Sequence, residues 1–143
     1  MLAAADVLCD ASVVLKWFHA EGEEEVEASR ALLDLHRTHG LALSVLDLTA
    51  YEVGNALLRG LGVGAEKVSA VLGALEVICP RVALTPTELS DAAILAEGHH
   101  LTMYDAAYAA GAKSRHAELA TLDRALLQAG LGRRPSEILA DRR

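Results

Sequence analysis

Aromatic residues are scarce in this chain. They make up 3% of the 143 residues, whereas apolar residues of all kinds make up 52%. The core must therefore be built from Leu, Val, Ile and Ala, and Ala-rich segments with few aromatics favour close-packed helices over a β-sandwich. A chain of this length has room for one domain with its own core, and we expect residues 1–143 to form it.

Long uncharged apolar runs, targeting signals and cysteines are also scarce. No apolar run reaches the roughly 18 residues that a membrane helix needs, so we expect no membrane segment. The N-terminal residues lack a basic segment and include Asp6, which is unlike a secretory signal. Cys9 and Cys79 stand in or beside apolar runs without CxxC spacing, so they predict buried thiols and no zinc site. We expect a reducing, cytoplasmic setting.

Basic residues are outnumbered by acidic ones. The formal net charge is −7 and the sequence pI is about 5.3. This balance argues against a protein that holds nucleic acid through a broad basic face. It does not exclude a nucleic-acid enzyme, because a local group of carboxylates can hold divalent cations that in turn meet the phosphates.

Several common catalytic motifs are missing as well. There is no GxxxxGK[ST] or GxGxxG phosphate-binding loop and no GxSxG nucleophile turn. His99 and His100 are adjacent, so their side chains point apart, and no HExxH pattern accompanies them. We interpret these two histidines as loop residues.

Short apolar runs alternate with helical patterns along the chain. The runs predict strands at 7–9, 41–46, 81–84 and 118–122, with an edge strand in the SEIL segment at 136–139. The longer periodic segments predict helices at 12–18, within 21–40, at 47–59, at 65–78, from Thr85 or Thr87 to about 97, at 103–115 and from 123 to 128. The EEE run at 23–25 is expected at the solvated start of the second helix. This alternation indicates an α/β fold with a parallel sheet covered on both faces, where ligands bind beyond the carboxyl ends of the strands.

Four acidic residues stand where such a sheet would place a ligand. Asp10 and Asp123 each close an apolar run, and Glu52 and Asp105 lie in otherwise apolar or small-residue helices. Like charges about 4 Å apart repel by about 4 kcal/mol at an effective dielectric of 20. Such a cluster either raises its pKa values or recruits cations, and hard oxygen ligands suit Mg²⁺ or Mn²⁺.

Each acid also has a purely structural interpretation. Asp123 suits the N-cap of the helix after it, and Asp10 suits the N-cap of the first helix, although Ser12 competes for that role. Asp105 is open to capping or to facing solvent, and Glu52 to the polar edge of its helix. The combined pattern of two acids at strand ends and two on helices favours a shared site.

Four segments carry a resemblance to a known family. VLCDASVVLKWF, YEVGNALLR, LTMYDAAYAAGA and ELATLDRAL occur in this order, and they resemble the PIN-domain ribonuclease toxins of VapBC toxin–antitoxin pairs. The resemblance covers nearly the whole chain and implies a single PIN domain, with a central parallel sheet of four to five short strands flanked by about seven helices. It implies metal-binding catalytic acids at Asp10, Glu52, Asp105 and Asp123. Ser12 and Thr121 would be supporting polar neighbours that orient water or a carboxylate.

The same resemblance implies an activity and partners. It implies Mg²⁺-dependent hydrolysis of RNA phosphodiester bonds, with Mn²⁺ as an alternative ion, by the toxin of a toxin–antitoxin pair. Asp10 and Asp105 would bind the ion directly, and Glu52 and Asp123 directly or through water. The protein would form a homodimer and be silenced by a small VapB-like antitoxin whose basic residue meets the carboxylates.

Two positions depart from the family pattern. Asp47 stands where the family often has Pro or another short polar residue, and we interpret it as the cap of the Glu52 helix. Gly111 interrupts the helix after Asp105, which should loosen that helix by roughly 1 kcal/mol relative to Ala.

Other functions remain open at this point. One alternative is a PIN-fold binding module that has lost catalysis, and another is cleavage of DNA by the same acids. A phosphoacceptor signalling domain is also acidic, α/β and magnesium-binding, but it needs a lysine at a late strand end. Lys113 lies in a predicted helix, and no other lysine follows Lys67.

Overall fold

Four short parallel strands form the sheet at the centre of the computed structural model, which describes residues 5–20, 22 and 24–142. The strands are β1 (Ala5–Cys9), β2 (Leu41–Leu46), β3 (Arg81–Val82) and β4 (Glu118–Ala120). Their order across the sheet is β3-β2-β1-β4, and each neighbouring pair is parallel. Because β1 lies between β2 and β4, the strand order reverses beside β1, and the crevice at such a reversal is where open α/β sheets bind ligands.

Helices follow the strands on both faces of the sheet. They are α1 (Ala11–Phe18), α2 (Val26–Arg37), α3 (Leu48–Asn55), α4 (Ala65–Ile78), α5 (Pro86–His99), α6 (Met103–Ser114), α7 (Arg124–Gln128) and α8 (Pro135–Ala140). A π-helical turn at Ala56–Gly60 continues α3. Among the described residues, no helix is both long enough and apolar enough to cross a membrane.

The core lies in two layers, one on each face of the sheet. Val7 and Cys9 of β1 pack in the layer that α1 to α4 cover, and Leu8 packs in the layer beneath α6 and α7. All three side chains are almost fully buried, as expected for a parallel strand covered on both faces. This architecture confirms the α/β prediction.

Gly111 has a packing role that its sequence context did not indicate. A Cβ at this position would lie 3.0 Å from Leu84 and 3.5 Å from both Leu46 and Leu8. The missing side chain therefore lets α6 approach the sheet closely. The glycine costs helix propensity, but it permits the helix that carries Asp105 to pack against β1 and β2.

The sequence predicted several elements well. β2 and α4 have the predicted bounds, and α5 begins with the N-cap at Thr85, where a capping box with Glu88 is complete. β3 is shorter than predicted, because the chain leaves the sheet before Leu84 and turns into the cap of α5.

Three local predictions were wrong. The SEIL segment forms α8 and no edge strand, since Pro135 at its first turn favours a helix start. Only an isolated parallel bridge, between Ala120 and Arg133, extends the sheet near that segment. The EEE run precedes α2, because Glu25 adopts a left-handed backbone with φ of 63° and the helix begins at Val26. Glu23 of that run lies outside the described residues.

The third wrong prediction concerns Asp47. Its backbone is already helical, with φ of −62° and ψ of −29°, and its side chain makes no capping hydrogen bond. A cap needs an extended backbone so that the side chain can reach the free N–H groups of the first turn. Asp47 is exposed to solvent instead.

Candidate active site

Asp10 lies at the carboxyl end of the central strand β1, where the chain turns into α1. Its Oδ1 accepts hydrogen bonds from the backbone N–H groups of Ser12 (3.1 Å) and Val13 (3.3 Å), so it caps the helix. Two hydroxyls donate to it as well: Ser12 Oγ to Oδ1 and Thr121 Oγ1 to Oδ2, each at 2.5 Å. Only 4% of the residue is exposed. Four neutral donors therefore fix this carboxylate in a buried position.

Burial dominates the electrostatics of Asp10. It raises the pKa of the carboxyl to about 6, although the hydrogen bonds from Ser12, Thr121 and Val13 act in the opposite direction. The negative charge of Glu52 raises this pKa further. Glu52 is therefore near enough to Asp10 for the two charges to interact.

The loop after β4 joins Asp10 to Asp123. Thr121 Oγ1, which donates to Asp10, also accepts from the backbone N–H of Asp123 at 2.9 Å. The next residue, Leu122, donates its N–H to Ser12 Oγ at 2.9 Å. Asp123 then caps α7 through Oδ1, which accepts from the N–H of Leu126 at 3.1 Å. Both hydroxyls predicted to support the acids thus contact Asp10 directly.

Glu52 projects from α3 toward the same end of the sheet. It is half-buried, and Tyr108 of α6 donates its hydroxyl to Oε1 at 2.6 Å. Burial raises the pKa of Glu52, and the negative charges of Asp105 and Asp123 raise it further. The helix face of α3 that meets α6 therefore brings Glu52 within electrostatic range of the three other acids.

Asp105 lies in the first turn of α6. Thr102 caps that helix by accepting the backbone N–H of Asp105 at 3.1 Å. Burial raises the pKa of Asp105 and the charge of Asp123 raises it further, whereas a hydrogen bond with the Thr102 side chain lowers it. Four acids from the ends of β1 and β4 and from α3 and α6 thus form one electrostatically coupled group.

The donor set of this group fits a hard divalent cation. Its oxygens are carboxylates, and none of the four acids forms an ion pair with a described Lys, Arg or His side chain. The group is open: within the described residues, no three His, Cys, Asp or Glu side chains converge closely enough to enclose an ion. Mg²⁺ is commonly held by one or two carboxylates with water as its other ligands, which suits an open group of acids.

The structural roles of the acids as helix caps are compatible with a shared site. Asp10 and Asp123 are both N-caps, as the alternative reading of the sequence proposed. In both residues the cap uses Oδ1. Oδ2 of Asp10 accepts one hydrogen bond, from Thr121, and keeps a second lone pair for another ligand. The N-cap of α6 is Thr102 and not Asp105, and Glu52 accepts a hydrogen bond from a tyrosine and is not merely at a polar helix edge.

Thr49 and Tyr108 are site residues that the sequence interpretation missed. Thr49 is fully buried in the first turn of α3, and Tyr108 is 1% exposed in the middle of α6. A signal was present, because both are polar residues at helix positions one turn from an acid, Thr49 before Glu52 and Tyr108 after Asp105.

A cavity with basic residues adjoins the acidic group. Its volume is about 550 Å³, and its walls include Lys16, Arg124 and Arg134 beside Leu122, together with the acidic residues Glu24 and Glu25. Arg134 forms an ion pair with Glu137 at 3.3 Å, and its neighbour Arg133 forms ion pairs with Glu118 at 3.1 Å and Asp141 at 2.7 Å.

The lysine expected of a phosphoacceptor domain is absent from the described part of this edge of the sheet. Lys113 lies in the last turn of α6. That end of the helix leads into β4, so Lys113 lies toward the amino ends of the strands, away from Asp10.

Comparison with known proteins identifies relatives across most of the chain. A family model described as the PIN domain matches residues 7–131. The Ribonuclease VapC3 of Pyrobaculum aerophilum is 33% identical over 127 residues, which cover 85% of this chain and 92% of that protein. A crystal structure of a protein from the same organism has a TM-score of 0.67 at 26% identity, covering 96% of this chain and 94% of its own.

Two more distant structures share the fold. A toxin–antitoxin complex from Klebsiella pneumoniae has a TM-score of 0.67 at 17% identity and covers 90% of this chain and 97% of its own. The VapC20 toxin of Mycobacterium tuberculosis, described as cleaving the sarcin–ricin loop, has a TM-score of 0.67 at 14% identity and covers 87% of this chain and 95% of its own.

Proposed function

The chain belongs to the PIN-domain family, and from this premise we propose that it is a metal-dependent endoribonuclease and the toxin of a type II toxin–antitoxin pair. The observation that carries the proposal is the coupled group of four acids at the reversal of strand order, with no described cation paired to it. RNA is proposed as the substrate because the relative with 33% identity is named a ribonuclease.

The proposed chemistry assigns a task to each part of the site. Asp10 and Asp105 would hold Mg²⁺ or Mn²⁺ directly, and Glu52 and Asp123 would hold it directly or through water. The bound ion would activate a water molecule and neutralise charge on the scissile phosphate. Ser12 and Thr121 keep Asp10 in place by donating to its two oxygens. Hydrolysis then adds the water oxygen to phosphorus and releases one sugar oxygen as the leaving group, which takes a proton.

A basic residue beside the acids supports an RNA substrate. Arg124 lines the cavity next to Leu122, and a phosphate backbone that reaches the acids could pass its guanidinium group. With a net charge of −7, the rest of the chain offers RNA little attraction. We therefore expect binding to depend on the cation and on Arg124.

We further propose an antitoxin partner and a homodimer. A second, mostly apolar cavity of about 430 Å³ lies between α1 and the π-helical turn, where Leu15, Ala56 and Leu61 line it and Ser12 borders the acids. A segment of a small antitoxin with apolar residues and one basic residue would fit this cavity and the adjoining carboxylates. Exposed apolar side chains on the outer helices, Val77 and Ile94 among them, offer surfaces for a second copy.

Cleavage of matched RNA and DNA strands tests the activity. The parent protein should cleave RNA with Mg²⁺ or Mn²⁺ and lose activity with a chelator. Asp10→Asn and Asp105→Asn should each lower the rate by more than about a hundredfold, because removing a residue that only supports a metal ligand already costs 10- to 100-fold. Asp91→Asn is the matched control, since Asp91 is exposed on α5.

The same variants separate the alternatives. Asn variants as active as the parent would refute the assignment of the acids. A parent protein that cleaves neither strand with any divalent ion would instead favour a PIN-fold binding module. In cells, expression of the parent should arrest growth, and Asp10→Asn and Asp105→Asn should relieve the arrest.

A further inference from the structure

A chain of buried hydroxyl groups connects the end of β2 to Glu52. The backbone N–H of Leu46 donates to Thr49 Oγ1 at 3.2 Å, and Thr49 Oγ1 lies 2.6 Å from the hydroxyl of Tyr108. That hydroxyl lies 2.6 Å from Glu52 Oε1. Thr49 and Tyr108 are 0% and 1% exposed, so water does not compete for these contacts.

The order of donors and acceptors in this chain is fixed. The N–H of Leu46 can only donate, so Thr49 Oγ1 accepts it. An ionised Glu52 can only accept, so the single proton of the Tyr108 hydroxyl points to Oε1. The Tyr108 oxygen must then accept the proton of Thr49. All hydroxyl protons therefore point from the sheet toward the carboxylate, and hydrogen bonds aligned in this way strengthen one another.

Only one carboxylate oxygen of Glu52 takes part in this chain of hydrogen bonds. Oε1 is held by Tyr108, whereas Oε2 makes no hydrogen bond to any residue that the structure describes. We propose that Tyr108, itself held by Thr49, is a positioning residue that orients Glu52 so that Oε2 serves the divalent cation. This role rests on the cation-dependent activity proposed above.

A purely structural role for the Tyr108 hydroxyl makes a different prediction. If the hydroxyl served only to join α6 to α3, its removal would lower stability and leave the affinity for the cation unchanged. If it positions Glu52, its removal leaves Oε1 without a donor and lets the carboxylate take other rotamers. Binding of the cation must then also order the Glu52 carboxylate, so the affinity for the cation falls.

Tyr108→Phe keeps the ring and removes only the hydroxyl. Binding of Mn²⁺ to the parent and variant is measured directly, by the loss of the free-ion electron paramagnetic resonance signal, and RNA cleavage is measured over the same Mn²⁺ range. We expect the dissociation constant for Mn²⁺ to rise about tenfold, in the range found for residues that support metal ligands. At saturating Mn²⁺ the rate should return to within about twofold of the parent rate.

Tyr104→Phe is the matched control. Tyr104 lies one turn earlier on the same helix, is 65% exposed and has no hydrogen bond from its hydroxyl to the described residues. It should bind Mn²⁺ as the parent does. Circular dichroism and thermal unfolding of both variants show that each is folded.

Variants of Thr49 and Glu52 test the order of the chain. Thr49→Val removes the donor to Tyr108 and should weaken Mn²⁺ binding in the same direction, whereas Thr49→Ser should restore it. In a Glu52→Gln background, Tyr108→Phe should have no further effect on Mn²⁺ affinity, because the two changes act through one interaction.

The outcomes of this test are distinct from those of the cleavage test. A parent that neither binds Mn²⁺ nor cleaves RNA defeats the proposed function. A parent that does both, with Tyr108→Phe folded and unchanged in Mn²⁺ affinity, overturns the positioning role alone. Additive effects of Tyr108→Phe and Glu52→Gln would overturn it too.

Discussion

Asp10 and Glu88 are both buried carboxylates, with 4% and 8% of the residue exposed, but their surroundings affect their charge in opposite ways. Hydrogen bonds outweigh burial at Glu88: the Ser114 hydroxyl, the backbone N–H of Thr85 and the Arg115 guanidinium hold its pKa at about 2. Burial outweighs hydrogen bonds at Asp10, where the pKa is about 6.

The difference separates a structural acid from a candidate functional one. Glu88 completes the capping box of α5 and joins it to the end of α6 through Ser114 and Arg115. Asp10 has four neutral donors and the charge of Glu52 nearby, and it forms no ion pair with a basic residue in the described part of the chain. The protein therefore keeps a charge at Asp10 at a cost to stability, and such a cost is typical of a group retained for its chemistry.

Asp10→Asn should have the largest effect on stability. The unfolded carboxyl ionises near 3.8 and the folded one near 6, so the contribution of Asp10 to the stability of the parent is greatest at low pH and is lost as the pH rises through that window. Asp10→Asn has no ionisable group at this position, so its stability does not fall for this reason. Without divalent ions, we expect the stability of the variant relative to the parent to increase by about 2–3 kcal/mol between pH 3.5 and pH 7.5.

Urea unfolding across this pH range, with a chelator present, measures the difference. Added Mn²⁺ should reduce the difference in stability between the two proteins at pH 7.5, because it stabilises only the parent. If the stability of Asp10→Asn relative to the parent does not change with pH, burial does not raise the pKa of Asp10 and the proposed difference between Asp10 and Glu88 is wrong.

Glu88→Gln should have a smaller effect of opposite sign. The folded pKa of about 2 is below the usual 4.5, so the parent gains stability from ionised Glu88 above pH 4.5 and loses it as the pH falls toward 2. We expect the variant to be less stable at pH 7 by about 1–2 kcal/mol, a value reduced for screening because Arg115 is partly exposed. Acid titration of unfolding should show the stabilities of the two proteins converging as the pH falls from 4.5 to about 2. Equal stability at pH 7 would contradict this account.

Gly132→Ala should have the smallest effect on stability and a specific effect on the site. An added Cβ would lie 2.5 Å from the methyl group of Thr121, whose hydroxyl donates to Asp10. We expect a loss of about 1 kcal/mol from overpacking and about tenfold slower RNA cleavage. Gly73→Ala, with open space around its Cβ in α4, is the control and should be neutral or stabilising. Normal cleavage by Gly132→Ala would show that Thr121 does not need to be fixed.

Local sequence patterns explain the structural elements that were predicted correctly. The bounds of β2 and α4 follow from apolar runs that end at clear breakers, and Thr85 followed by Pro86 marks the start of α5. Asp10 and Asp123 follow parallel strands that end at one edge of the sheet, so their proximity could be predicted. The electrostatic coupling of Glu52 and Asp105 to them depends on how α3 and α6 pack. The roles of the four acids in catalysis remain predictions.

Contacts between distant residues account for what the sequence did not predict. Tyr108 meets Glu52 across 56 positions of the chain, and nothing local to either residue indicates the pairing. His36 belongs to no recognisable sequence motif, yet its Nδ1 accepts the N–H of Leu43 at 3.0 Å and its Nε2 donates to Ile78 O at 2.9 Å. Such roles depend on how α2, β2 and α4 pack, which periodicity does not reveal.

The hydroxyl contacts of Asp10 have a consequence for how the protein folds. Thr121 is 111 positions from Asp10, and the hydrogen bond of Leu122 to Ser12 spans 110 positions. Closing such long loops is entropically costly, so these contacts require β4 to be docked beside β1. A nascent or partly unfolded chain in which β4 is detached would retain Asp10 at the end of β1 without the hydroxyl of Thr121. Any catalytic competence that depends on this hydroxyl would then be acquired only when the sheet is complete.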